Sequence, residues 1–80
     1  YYVGGEVRNS NRYIYIGAIT VTKAIQAAGG FTDFANKKKV RLTRVDGNKI
    51  TVNCKKALED STLDPPVFPG DKIDVPRRLW

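Results

Sequence analysis

Among its 80 residues the chain has no histidine, no methionine and only one cysteine, Cys54. Without histidine, no Ser-His or Cys-His nucleophile pair can be assembled within it. A single cysteine closes no internal disulfide, and with histidine absent there is no ligand set for a structural zinc. No stretch approaches the roughly 18 consecutive apolar residues of a membrane span, and none has the make-up of a signal peptide. Because even position 1 is not methionine, the chain reads as a piece of a longer or processed protein, in which a missing targeting segment says little. Eighty residues make one domain, which buries only about 60 to 65% of the surface its unfolded chain exposes; one helix on one sheet is enough to form that core.

What is abundant is positive charge. Fourteen Lys and Arg against eight Asp and Glu leave a net charge of +6. That balance suits an anionic partner, whether nucleic acid, acidic glycan or the surface of an anionic membrane, and it equally suits plain solubility.

Thr20 to Gly30 is the one segment whose apolar residues keep helical spacing for more than two turns. Val21, Ala24, Ile25 and Ala28 fall at i, i+3, i+4 and i+7, while Thr22, Lys23 and Gln26 point elsewhere. Thr20 is placed to cap the first turn, and Gly29 to end the helix in the left-handed conformation. The spacing therefore predicts a main helix over about residues 20–29, with small alanines that let a sheet approach.

On either side the pattern has period two. Residues 1–8 alternate, with Val3, Gly5 and Val7 on one face, and Gly4-Gly5 marks a bulge or a close backbone approach. Asn9-Ser10-Asn11 is turn chemistry, and Arg12-Tyr-Ile-Tyr-Ile16 resumes a β-prone run, which predicts a first hairpin. Phe31 to Lys39 is a loop expected to fold back on the core through Phe31 or Phe34. Val40–Val45 and Lys49–Cys54 flank Asp46-Gly47-Asn48 and predict a second hairpin, with Val40, Leu42, Ile50, Val52 and Cys54 inward. A short helical turn is expected near 55–60, anchored by Ala57 and Leu58. Leu63 to Phe68 is held extended by its prolines, Pro69-Gly70 turns, and Asp71–Val75 is a last strand with Ile73 and Val75 inward. Arg77 to Trp80 trail off as a linker or cut end. Two hairpins flanking a helix, with a late strand free to insert between them, predict an α+β fold of the β-grasp type: about five mixed strands wrapped on one main helix, in one domain over residues 1–76.

The catalytic inventory is thin. Cys54, at an inward strand position, suits a small hydrophobic role better than a reactive thiol. Asp71 and Asp74 stand three apart in a strand and point to opposite faces, which argues against paired acid/base work. Binding is better served. Lys37, Lys38, Lys39 and Arg41 concentrate positive charge within five residues, with Phe31 and Phe34 close by in sequence. Cations beside an aromatic suit a sugar with an acidic substituent, and equally a stacked base with its phosphate; a solvated basic loop is the plainer alternative. Arg12, Tyr13 and Tyr15 form a second candidate surface. Lys23 stands in the first turn of the helix, where the dipole disfavours a cation.

Four local matches carry a resemblance to a known family. Tyr2-Val3-Gly4-Gly5-Glu6-Val7, then Ala24 through Thr32, then Ala35-Asn36 leading to Val40-Arg41-Leu42, and finally Pro69 through Pro76 resemble, in order, pieces of the SLBB domain, the soluble-ligand-binding β-grasp module of bacterial polysaccharide export proteins. Two departures stand out. Ser10-Asn11 precede Arg12-Tyr13 where the family usually has Pro-Gly, and Lys23 replaces a commonly acidic residue. The resemblance implies a non-catalytic module of a larger envelope protein at the periplasmic side or outer membrane, stacked with other copies in a ring around an export channel. The implied partners are polysaccharide, in particular acidic polysaccharide, and neighbouring subunits; membrane association would come through other parts of the parent. Neither cofactor, metal nor catalytic residue is expected. Lys37, Lys38, Lys39, Arg41, Phe34, Arg12 and Tyr13 are the candidate binding residues. Nucleic acid is not the expected ligand, but a basic β-grasp module binding nucleic acid or a small soluble ligand such as a cobalamin is the alternative.

Overall fold

A computed structural model describes residues 1–79; Trp80, the last residue of the expected linker, lies outside the described residues. Five strands form one sheet: β1 (Tyr2–Gly5), β2 (Asn11–Arg12), β4 (Val40–Thr43), β5 (Lys49–Val52) and β7 (Lys72–Val75), in the order β2-β1-β7-β4-β5. The last strand does insert between the two hairpins, parallel to β1 and antiparallel to β4. Its alternation explains why. Ile73 lies opposite Val3 on one side and Leu42 on the other, so three fully buried side chains form a row across the sheet's centre. Each contributes on the order of 2 kcal/mol by leaving water.

Helix α1 (Val21–Ala27) lays Val21, Ala24, Ile25 and Ala28 on that row, all buried as their spacing requires. It is shorter than expected, and its N-terminus is held differently. Thr20 is the capping residue by position, yet its hydroxyl makes no cap hydrogen bond. Instead the amide and hydroxyl of Thr22 both donate to the Asp64 carboxylate, and the Val21 amide donates to the Pro65 carbonyl. Thr22 is accordingly buried rather than turned to solvent. A small ribbon, β3 (Ile19–Thr20) against β6 (Pro66–Val67), brings the 64–65 segment into place. At the other end Gly29 and Gly30 both have φ near +88°. Gly30 donates to the Ile25 carbonyl and Gly29 to that of Gln26, the paired bonds of a left-handed helix exit.

Three strand expectations need correction. β2 includes only Arg12 of the run Arg12–Ile16. Tyr1 and Tyr13 exchange backbone hydrogen bonds, and Ile14 and Ile16 stand 84% and 92% exposed. Ile50 faces the same way as Leu42 but sits on the edge strand beyond the helix's cover, at 40% exposure. Cys54 is buried, as the first residue of a short helix, α2 (Cys54–Ala57), and not in a strand. Asn53 caps α2 by accepting from the Lys56 amide; Ala57 anchors the turn, whereas Leu58 is exposed. The alternation of β1 also breaks, at Gly5, whose φ is +82°. Arg77 and Arg78 do not trail away: Ala35 bridges Arg77, Asn36 donates to the Pro76 carbonyl and Arg78 to that of Phe34.

Candidate binding cleft

The loop after α1 is polar and rich in lysine, yet it is pinned from three sides. Val7 bridges Phe31, and Thr32 bonds Glu6 through both backbone and side chain. The segment after β7 holds it at Phe34 and Asn36, and the Arg78 guanidinium donates to the Asp33 carbonyl at 2.6 Å. The Cys54 amide, at the start of α2, donates to the Lys37 carbonyl at 2.8 Å. Phe31 packs against the core, and Phe34 is exposed.

This pinning creates a cleft of about 530 Å³ whose walls include Phe31, Asn36, Lys37, Lys38, Lys55 and Arg78. A shallower depression of about 390 Å³ adjoins it at Lys38, between Asn53, Lys55 and Lys56. The Lys37 ammonium stands 5.5 Å from the centre of the Phe31 ring, a cation–π distance. Among the described residues none of these five cations is in an ion pair, so their charge is directed at solvent or ligand.

The seven sequence-nominated residues do not form one patch. Lys37 and Lys38 share the cleft with Lys55 and Arg78. Lys39 is exposed at the entry to β4, and Arg41 projects from the uncovered face of the sheet, in register with Asp74 on β7 and Thr51 on β5. The Phe34 ring lies outside the cleft, with the Arg77 guanidinium 4.9 Å from its centre. Arg12 and Tyr13 belong to the opposite end of β7. Tyr13 stacks on Tyr1 at 5.7 Å and its hydroxyl donates to the Asn9 carbonyl. Burial, then the neighbouring Tyr13, raises the Tyr1 hydroxyl above its ordinary pKa. Lys23 borders the same groove as Arg12 and Tyr13, so the cation that the helix dipole disfavours joins a second basic surface.

Lys55, Lys56 and Arg78 were not singled out from sequence. Their signal was the adjacency of Lys55-Lys56 and Arg77-Arg78, two dibasic pairs that only the fold carries to the Lys37 loop. Burial, and secondarily Asp64, pushes the Cys54 thiol up to about 12, so it stays protonated. Asp71 is buried against Arg44, while Asp74 is on the open face. Among the described residues no cluster of His, Cys, Asp and Glu is able to hold a metal ion, and no helix is long and apolar enough to cross a membrane. What remains is a concave, cationic, partly aromatic surface suited to holding an anion. A family model described as SLBB domain matches residues 1–53, the span from β1 through β5.

Proposed function

The chain belongs to the SLBB domain family, a ligand-binding and non-catalytic one, and from that premise we propose that it is the polysaccharide-contacting module of an export protein. Residues 1–76 act as one domain of a larger envelope protein at the periplasmic side of the outer membrane. The module touches the polymer, and neighbouring copies in a ring, without altering either. SLBB domains occur in extracytoplasmic export proteins, which supports this setting.

One observation carries the reading: Lys37, Lys38, Lys55 and Arg78 converge on one cleft beside Phe31. Carboxylate groups along an acidic glycan would be bound there by charge-assisted hydrogen bonds, and the ring would receive a sugar face. Arg41 and Lys39, which diverge from the cleft, serve contacts to a neighbouring subunit.

Charge reversal separates these roles. Lys37→Glu, Lys38→Glu and Lys55→Glu combined should lower affinity for an oligogalacturonate at least about tenfold, measured by titration calorimetry. Arg41→Glu should leave that affinity unchanged and weaken ring assembly of the parent protein. Unchanged affinity and unchanged assembly in both variants would contradict the reading.

A further inference from the structure

At the start of β7, at the end of the sheet, lies a depression of about 380 Å³. Tyr1, Tyr2, Tyr13, Arg12 and Lys72 line it, together with Asp71, whose buried side chain is paired with Arg44. The volume lies at the small end of the range of ligand sites. Tyr2 sits in register with Arg12 on β2 and with Lys72 on β7, so an aromatic ring is flanked by a cation on each side.

The ring is held in place by an absence. A Cβ built on Gly4 would stand 2.5 to 2.8 Å from the Cε2, Oη and Cζ atoms of Tyr2, so the ring lies across Gly4. Gly4 has no positive φ, which means that glycine is required there for space and not for backbone conformation. Tyr2 is left 38% exposed, with its ring supported from below. Asp74 lies opposite Gly4 in the next row, and Arg41 opposite Asp74.

We propose that this corner is a second subsite, holding one acidic sugar residue by stacking on Tyr2 with its carboxylate between Arg12 and Lys72. It rests on the polysaccharide reading above and extends it. Three features fit one such sugar. Its ring C–H bonds carry partial positive charge and meet the negative face of an aromatic ring. Its carboxylate finds two cations that, among the described residues, have no ion-pair partner. Asp74, just outside the depression in the next row, repels the carboxylate and so sets the orientation. Lys72 opens β7, and Arg78 follows its end by three residues, so the corner and the cleft stand roughly 20 Å apart along an extended chain.

NMR titration of the 80-residue chain with oligogalacturonate, with dextran and oligo(dT) as comparisons, tests this. Oligogalacturonate should shift the Tyr2 ring signals and the Arg12 and Lys72 amides. Gly4→Ala, which moves the ring and leaves every charge in place, should weaken binding about fivefold, as should Tyr2→Leu. Lys72→Gln, at an exposed position that does not endanger folding, should also weaken it. Variants that bind like the wild type, while reversal at Lys37, Lys38 and Lys55 abolishes binding, would overturn the corner subsite alone. Tighter, steeply salt-dependent binding of oligo(dT) would replace the sugar by a nucleic acid and overturn it as well. If the wild type binds none of the three probes, the polysaccharide reading fails and the subsite with it.

Discussion

Gly5 shows how one residue can hold a sheet together. Its φ of +82° disfavours any side chain, and a Cβ there would stand 2.2 Å from the Val75 carbonyl oxygen. Gly5→Ala should cost more than about 2 kcal/mol, read as a lower midpoint in urea, since a left-handed backbone and a clash with the main chain add. Gly4, its neighbour, lacks the backbone penalty, and the two adjacent glycines thus serve different ends. Arg44, half-buried, and Asp71 form the one ion pair among the described residues. The Asp71 side chain is fully buried and also accepts from the Phe68 amide, which ties the Pro-Gly turn to the second hairpin. Arg44→Ala leaves that carboxylate buried without its cation and should lower stability by about 3 kcal/mol, a shift of at least about 12 °C in Tm for a domain of this size.

Cys54 makes a pH-dependent contribution whose sign follows from its protonation. Below about pH 9 the thiol is protonated in both states; between about 9 and about 12 only the unfolded chain loses the proton. Stability is therefore lost as pH rises through that window, by less than about 1.4 kcal/mol per pH unit. Chemical denaturation at pH 8 and pH 10.5 should show a larger decline in the wild type than in Cys54→Ala. An equal decline would mean that the thiol is not the group responsible.

At the scale of elements, helix α1 was legible because its information is local: the i, i+3, i+4, i+7 stripe and the diglycine exit lie within eleven residues. Its cap was not, because Asp64 is 42 positions downstream. The two threonines should therefore be unequal to their apparent roles. Asp64→Ala should cost about 1 to 2 kcal/mol, while Thr20→Val, which removes a buried hydroxyl that has no partner among the described residues, should be neutral or stabilising in the same urea titration. The run Arg12–Ile16 failed as a strand for a related reason. Alternation describes the strand's own preference, but the pairing with β1 reaches only to Tyr13, and Ile14 and Ile16 are exposed. Ile14→Lys with Ile16→Lys should consequently leave the midpoint within about 0.5 kcal/mol of the wild type; a loss of several kcal/mol would mean that these isoleucines are buried in solution.

Across the whole molecule, the sequence pattern was sufficient for the sheet and insufficient for the site. Period two in Lys72–Val75 and Val40–Thr43, with turns at Asn9-Ser10-Asn11 and Asp46-Gly47-Asn48, already dictated two hairpins with a strand between them. The candidate site required distances that no linear spacing contains. Lys37 and Lys38 meet Lys55 and Arg78 only because the loop is sewn to α2 and to the segment after β7, and Arg41, four positions from Lys37, points away because strand alternation turns it to the open face. A charge run in sequence thus does not show which cations the fold gathers beside Lys37 and Lys38.

The claim at the centre is that a non-reactive β-grasp domain holds acidic polysaccharide through cations gathered by its fold. Amide chemical-shift mapping of the 80-residue chain with oligogalacturonate addresses it most directly. Shifts concentrated at Lys37, Lys38, Lys55 and Arg78, and at the Tyr2, Arg12 and Lys72 corner, weakened by added salt and absent with dextran, are the expected result. Shifts scattered over the surface, or equal response to the neutral polymer, would contradict it.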